Sequence, residues 1–336
     1  MKLGIIGFSG AGKTTVFEAL THSFADVGKR EENRIGAIRV PDERVDALTV
    51  MYSPEKTTYA QVEYLLPGKG EADILNRVRD CDGLIHVVRN FRVYGMEPPE
   101  PLQDFQNLDQ EMVLSDLVVI EKRLERVSLD EKRGKKPDPQ ENVLLQECSK
   151  YLNEGIPLRK LPELAEARTL RGFALLSAKP VLVLLNNEDE DEKLPKKEGV
   201  ADQENFMVIR AKLEQELAQM SEEEADDFLA EFNISAPATD RVIERSYELM
   251  GLISFFTVGE DEVRAWTIKK GTVALDAAEV IHTDMKKGFI RAEVVHFDDL
   301  TAAGSLAEAR KKGTVRLEGK TYVVQDGDII TFRFNV

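Results

Sequence analysis

Apolar residues along this chain follow two rhythms, and each predicts a different kind of element. Short, largely apolar runs at Leu3–Ile6, Val62–Leu66, Gly83–Val88 and Pro180–Leu185 predict core strands of a parallel sheet. A fifth run at Phe206–Ile209 is followed by a helical stretch at Lys212–Met220. Helix-like segments separate most of these strands, the pattern of an α/β sandwich. Between the third and fourth strands the rhythm changes. Val113, Leu117, Ile120, Leu124 and Val127 recur at spacings of 4, 3, 4 and 3, the heptad seam of one helix. Asp138, between Pro137 and Pro139, ends the pattern beside a Lys/Gly-rich stretch at Lys132–Lys136, and a second helix then carries Leu145, Cys148 and Leu152. Two antiparallel helices zipped along one seam predict a projecting hairpin, with ordinary packing of both on the sheet as the alternative.

From Phe255 onward the pattern turns to β. Strand-like runs at Val263–Ile268, Ile290–Phe297, Thr314–Leu317, Tyr322–Val324 and Ile329–Phe334 alternate with turns such as Asp326-Gly327-Asp328. Asp276–His282 reads as one short helix. A small mixed β domain of this size predicts a binding module rather than a catalytic one.

Composition narrows the picture. A chain of 336 residues with 42% hydrophobic and 32% charged residues has room for two or three domains and a sizeable core. No run approaches the ~18 apolar residues of a membrane span, and the N-terminus enters a strand directly, so a cytoplasmic protein without a membrane partner is expected. Cys81 and Cys148 both fall in apolar contexts and form no disulfide or metal pattern. The net charge of -16 is uneven: residues 252–336 carry -1 and residues 1–251 carry -15. An acidic body argues against sequence-independent coating of nucleic acid, which depends on phosphate neutralisation. Lys269-Lys270, Lys286-Lys287 with Arg291, and Arg310-Lys311-Lys312 still offer local basic clusters, readable either as an RNA contact or as solvated faces.

The chemistry is concentrated near the N-terminus. Gly7-Phe8-Ser9-Gly10-Ala11-Gly12-Lys13-Thr14 spells G-x-x-x-x-G-K-[ST] between the strand Leu3–Ile6 and a helix opening at Thr15-Val16-Phe17. Glycines let the backbone wrap a phosphate chain at the positive end of a helix. The expected phosphate contacts are Gly10, Ala11, Gly12, Lys13, Thr14 and Thr15. Lys13 serves as the catalytic cation at the β/γ-phosphates, and the Thr14 hydroxyl serves as the Mg²⁺ ligand. The motif predicts binding of a nucleoside triphosphate.

These residues and others resemble the YchF, or Obg-like ATPase, branch of the translation-factor-related P-loop GTPases. Beyond the P-loop, the resemblance rests on Val40-Pro41-Asp42-Glu43-Arg44-Val45-Asp46-Ala47-Leu48, Ile85-His86-Val87-Val88-Arg89, Lys179-Pro180-Val181 and the helical insert. Its most specific part is the tail. Phe256-Thr257-Val258-Gly259, Val263-Arg264-Ala265-Trp266-Thr267-Ile268, Ile281-His282-Thr283-Asp284 and Lys287-Gly288-Phe289-Ile290-Arg291-Ala292-Glu293-Val294 are similar to a TGS-type domain, as is the terminal Phe332-Arg333-Phe334-Asn335-Val336. The resemblance implies an α/β P-loop NTPase three-layer sandwich with a helical-hairpin (coiled-coil) insertion and a C-terminal β-grasp (TGS-like) domain. Its boundaries would be 1–107 and 167–251 for the nucleotide-binding domain, 108–166 for the coiled coil and 252–336 for the TGS-like domain. It also implies weak hydrolysis of ATP or GTP and association with the ribosome or structured RNA.

Three departures from that family bear on chemistry. Where D-x-x-G should close the second core strand, Leu66-Pro67-Gly68-Lys69 stands, and leucine cannot order a metal-bound water. The segment down to Asp82 is also shorter than the family's. The first-switch Thr has no clear counterpart, with Arg30 near its place. One electrostatic donor of this kind is worth about 3 kcal/mol in the transition state, so hydrolysis is expected to be slow or absent unless Arg30 or Lys69 restores a charge. A hydrolysis-deficient binding module is therefore the alternative function. The base-reading segment is Asn186-Asn187-Glu188-Asp189-Glu190. Asn186 with Asp189 gives guanine-type spacing, Asn187 with Glu190 gives the adenine type, and a solvated acidic loop from Glu188 to Glu192 is the third reading. Ala211 and Lys212 after the fifth strand, and Phe91 after Arg89, complete the expected base site.

Overall fold

The computed structural model describes residues 1–24, 32–68, 74–191, 193–194, 205–231 and 237–335. In chain order the N-terminal elements are β1 (Lys2–Ile6), α1 (Lys13–Thr21), β2 (Arg34–Arg39), α2 (Glu43–Tyr52), β3 (Lys56–Thr58), β4 (Gln61–Leu66), α3 (Ile74–Arg77) and β5 (Gly83–Asn90). The middle of the chain forms α4 (Pro101–Lys132), α5 (Pro139–Asn153), α6 (Pro162–Ala165), β6 (Val181–Asn187), β7 (Asn205–Ile209), α7 (Ala211–Leu217), α8 (Glu222–Glu231) and α9 (Ala238–Leu249). The rest comprises β8 (Leu252–Thr257), β9 (Glu262–Lys269), α10 (Ala274–Ile281), α11 (Thr283–Lys287), β10 (Phe289–His296), α12 (Phe297–Ala303), α13 (Leu306–Lys312), β11 (Arg316–Glu318) and β12 (Asp328–Phe334). They group into two compact units, Met1–Ala37 with Glu63–Val242, and Ile38–Val62 with Ile243–Val336.

The first unit is organised by a sheet of order β2-β4-β1-β5-β6-β7. β1 pairs in parallel with β4 and β5, and β6 pairs in parallel with β5 and β7. The continuous apolar runs match this topology, because Leu3, Ile5, Ile6, Leu84, Ile85 and Val183 are fully buried. α4 is a single helix with two jobs. Phe105, Leu108 and Met112 in its first half pack into the sheet core with Ile6, Val88 and Val183. Val113, Ile120 and Val127 in its second half join Leu145, Cys148 and Leu152 of α5, with Leu117 and Leu124 packed partly buried against them. The predicted seam is therefore present, and the first half of the same helix packs on the sheet.

Ion pairs fix this helix in place. Arg159 forks onto Asp109 at 2.7 and 3.0 Å with both side chains nearly buried. Asp116 is fully buried and accepts from Arg79 and from the backbone N–H groups of Leu176 and Ser177. At the distal end, Arg123 forks onto Glu141 across the hairpin, at 2.8 Å on each side. The Asp138 side chain accepts from Gln140 N and starts α5, with Pro139 at its first position.

The second unit has a sheet of order β11-β10-β12-β8-β9-β3. β10 pairs antiparallel with β11 and β12, β8 antiparallel with β9, and β12 and β8 run parallel. Phe255, Ala277, Ala278, Ala292, Val294 and Ile330 form its core. Residues 38–62 belong here. β3 adds a parallel edge to β9, and α2 starts at Asp42, which accepts from Arg44 N at 3.0 Å. Arg44 in turn reaches Asp326 at 2.7 Å and lies over the ring of Phe256.

Two details of the C-terminal reading change. Tyr322–Val324 is not a strand; Val323 makes only an isolated bridge with Val273. Three short helices, α11, α12 and α13, occupy stretches between the predicted elements, with Phe297, read as a strand end, opening α12. Each has a side-chain cap at its start, from His282, His296 and Ser305.

Candidate functional site

The loop from Gly7 to Gly12 is shaped by its glycines. Gly7 has φ +144°, and a Cβ there would lie 2.2 Å from the Val87 carbonyl oxygen of β5. Gly12 has φ +94° and opens α1 without any side-chain cap, so the N–H groups of the first turn are left for an anion. Lys13 Nζ donates to Gly7 O and Phe8 O, each at 2.8 Å. Two of its three donors thus hold the ammonium inside the loop. Ala11 is buried, Gly10 and Thr14 are exposed, and Thr15 is half-buried on the first turn.

Asn186, at the end of β6, ties this loop to the opposite side of the site. Its Nδ2 donates to Ala11 O at 3.0 Å, while its Oδ1 accepts from Ala211 N at 3.0 Å. The contact is tight: a Cβ on Gly12 would lie 2.3 Å from Asn186 Nδ2. Asn187 does something else. It accepts from Asn90 Nδ2 and donates to Asp191 O and Lys193 O, which folds the acidic loop back on itself. Asn186 is therefore the asparagine set against the P-loop. Asp189 is half-buried, and its carbonyl faces Arg210 at 3.4 Å. Lys212 is exposed and Phe91 half-buried. Phe91 is held by its carbonyl, which accepts from Arg89, and the next residue, Arg92, donates its N–H to Glu188.

Leu66 closes β4 as a core residue, 6% exposed. Just beyond it, Gly68 N donates to Asn33 Oδ1 at 3.1 Å, and Arg77 donates to the same oxygen at 3.2 Å. The start of β2 is anchored separately, by Arg34 on Glu18 at 2.9 Å. Arg30, Lys69, Glu192 and Val336, named in the sequence reading, lie outside the described residues.

One further residue beside the phosphate loop stands outside the expected site. His86, in the centre of β5, is 1% exposed, and neither ring nitrogen has a hydrogen-bond partner. Its ring lies 5.7 Å from that of Phe105. With Phe8, Ser9, Ala11, Arg89 and Asp104 it lines a cavity of about 20 Å³ behind the P-loop. Burial, then the positive charges of Arg159 and Lys13, push its pKa down to about 3, so the ring is neutral. A polar side chain inside the otherwise apolar run Gly83–Val88 was the available signal.

The chain is similar to several known proteins. A family model for the C-terminal part of YchF GTPases, described as a protein of unknown function (DUF933), matches residues 252–335. A Bacillus subtilis protein named ribosome-binding ATPase YchF is 38% identical over 361 residues, covering 99% of each chain. A protein of the same name from Haemophilus ducreyi is 36% identical, covering 100% of this chain and 99% of the relative. Among solved structures, the Schizosaccharomyces pombe YchF GTPase superposes with a TM-score of 0.85 at 28% identity, covering 99% of this chain and 97% of the other. The fold is that of an α/β P-loop NTPase with a helical insertion and a C-terminal domain.

Proposed function

The chain belongs to the YchF family, and on that premise we propose that it is a nucleoside-triphosphate-binding factor that associates with the ribosome or structured RNA and hydrolyses its nucleotide slowly with Mg²⁺. The observation that carries this reading is Asn186, which joins the P-loop carbonyl of Ala11 to the start of α7 while Lys13 sits inside the loop. Gly10, Ala11, Gly12, Lys13, Thr14 and Thr15 hold the phosphates. Asp189, Ala211, Lys212 and Phe91 surround the base, with Asn186 as the strut behind them. The related proteins named as ribosome-binding ATPases favour ATP and a ribosomal partner, whereas the Asn186…Asp189 spacing is guanine-like. The functional parts are a nucleotide domain at 1–107 and 167–251, a coiled-coil arm at 108–166 and a TGS-like domain at 252–336. No helix among the described residues is long and apolar enough to cross a membrane, and a cytoplasmic site of action is part of the proposal.

The donor set fits a metal that arrives with its nucleotide. Among the described residues no cluster of His, Cys, Asp or Glu could hold an ion alone. Mg²⁺ bound largely through substrate phosphates needs few protein ligands, and the exposed Thr14 hydroxyl supplies one. The metal would neutralise charge on the β- and γ-phosphates. Lys13 contributes a second positive charge from within the loop.

Leu66 supports a second reading, a module that binds nucleotide without turning it over, because a buried aliphatic side chain cannot orient water. Calorimetric titration with ATP and GTP in Mg²⁺, followed by turnover assays on the same sample, separates the two. Sustained phosphate release that disappears in Lys13→Ala supports the hydrolase. Tight binding with no release in either protein supports the module. Failure to bind either nucleotide would refute both. If Asp189 reads the base, Asp189→Asn weakens GTP binding relative to ATP; unchanged relative affinities remove it from the site.

A further inference from the structure

Several lysines of the basic clusters noted in the C-terminal sequence are already engaged within the second unit. Lys286 pairs with Asp276 at 3.0 Å and with Glu279, Lys287 with Asp284 at 3.3 Å, and Lys311 with Glu308 at 2.6 Å. Lys312 donates to Ala302 O. Arg264 lies flat over the ring of Trp266, 3.9 Å away. The two arginines of those clusters, Arg291 and Arg310, gather instead with Arg333 around Glu293.

Glu293 is 8% exposed on β10. Arg310 of α13 reaches its Oε1 through Nε and Nη2 at 2.8 and 2.7 Å, and Arg333 of β12 reaches Oε2 at 2.9 Å. Burial alone would raise the carboxyl's pKa, but the hydrogen bonds from Arg333 and Arg310 outweigh it and hold the group ionised. Both arginine side chains remain more than half exposed, at 53% and 57%. Arg291 stands directly opposite Arg333 in the β10–β12 ladder, and Thr331 stands opposite Glu293. Alternation along β10 puts Arg291 and Glu293 on the same face. Like charges directly opposite each other cost stability in a sheet, so this placement asks for a counter-charge beyond the single carboxylate.

We propose that Arg291, Arg310 and Arg333 form a phosphate-backbone contact for structured RNA. The inference rests on the ribosome or RNA association proposed above and assigns it a surface. Guanidinium groups match phosphate oxygens through paired N–H donors, and anchorage on Glu293 leaves two of them little rotamer freedom to lose on binding. The neighbouring surface does not favour a peptide: among the described residues of β10, β11 and β12 the exposed large apolar side chains are Ile290, Leu317 and Phe334, and of these only Leu317 shares the face of Glu293. With a net charge of -16, the chain needs such a local concentration of positive charge to approach a polyanion.

The test is co-sedimentation of the full chain with purified ribosomes, and binding to protein-free ribosomal RNA, over a range of salt. Arg310→Gln/Arg333→Gln should weaken both by about tenfold or more and lower the salt slope by roughly 1.5 to 2. Arg291→Gln, which breaks no ion pair with Glu293, should lower the slope by about 1. Lys269→Gln/Lys270→Gln, an equal loss of charge, should leave affinity within about twofold. An unchanged far-ultraviolet circular dichroism spectrum and urea unfolding midpoint show that the variants are folded. If the unaltered chain binds ribosomes and the arginine variants bind equally well, the surface is wrong and the association stands. A loss confined to intact ribosomes, with RNA binding unaffected, would place the contact on a protein and overturn the inference. Failure of the unaltered chain to bind either would refute the association itself.

Discussion

Asn186 donates from Nδ2 to the carbonyl oxygen of Ala11 across 3.0 Å, so the end of β6 is bonded to the crest of the phosphate loop. The same side chain accepts from Ala211 N. Asn186→Ala leaves a buried carbonyl and a buried N–H without partners, each costing about 1–3 kcal/mol. Nucleotide affinity measured by calorimetry should fall at least about tenfold. Gly12→Ala should be more severe, because it combines a left-handed backbone with a Cβ only 2.3 Å from Asn186 Nδ2.

His86 gives the fold a dependence on pH. Its pKa is about 3 in the native state against an ordinary 6.5, so the unfolded chain binds more protons between those values. The stability owed to the neutral ring is complete above pH 6.5 and is lost as pH falls toward 3. The slope for this one group is about 1.4 kcal/mol per pH unit. Urea unfolding of the parent chain and His86→Phe across pH 4 to 8 should show the acid limb shallower in the variant. Parallel limbs would show that the imidazole is not buried neutral.

The hairpin can be weakened without touching the nucleotide. Leu145 is fully buried against α4, and Leu145→Ala removes a side chain whose loss typically costs 2–5 kcal/mol. The urea midpoint should drop by a corresponding amount, with affinity for ATP and GTP within about twofold of the parent. A large loss of affinity would mean that arm packing and the P-loop are energetically joined.

The parallel strands were legible because burial on both faces writes a continuous apolar run, as in Val181–Leu185. The seam was legible because Val113, Ile120 and Val127 keep a fixed spacing. The segment from β2 to β3 was not. Arg34–Arg39 is a sheet-edge strand with alternating exposure, and Lys56–Thr58 becomes a strand only by pairing with Glu262–Arg264, some 200 residues away. Helices as short as Leu306–Lys312 show too few turns for a period, and their caps are informative only once the ends are known.

The site divides along the same line. Gly7 to Thr14 is contiguous, and its loop geometry follows from local residue types. The choice between Asn186 and Asn187 depends on which side chain the end of β6 turns toward Ala11, a fact of strand register that neighbouring residues in sequence do not carry. His86 stands within a family motif, but nothing local says that its ring is buried without a hydrogen-bond partner beside a cavity next to the P-loop.

The unbroken course of α4 from Pro101 to Lys132 has a mechanical consequence. Phe105 lies against His86 behind the phosphate loop, and Lys132 is 27 residues further on. At 1.5 Å per residue that is a lever of about 40 Å with no hinge residue in it. A tilt of about 5° at Phe105 carries the far end through roughly 3.5 Å, a displacement comparable to an atomic contact distance. Any change in the seat of Phe105 would thereby be magnified at the Lys132 end of the helix.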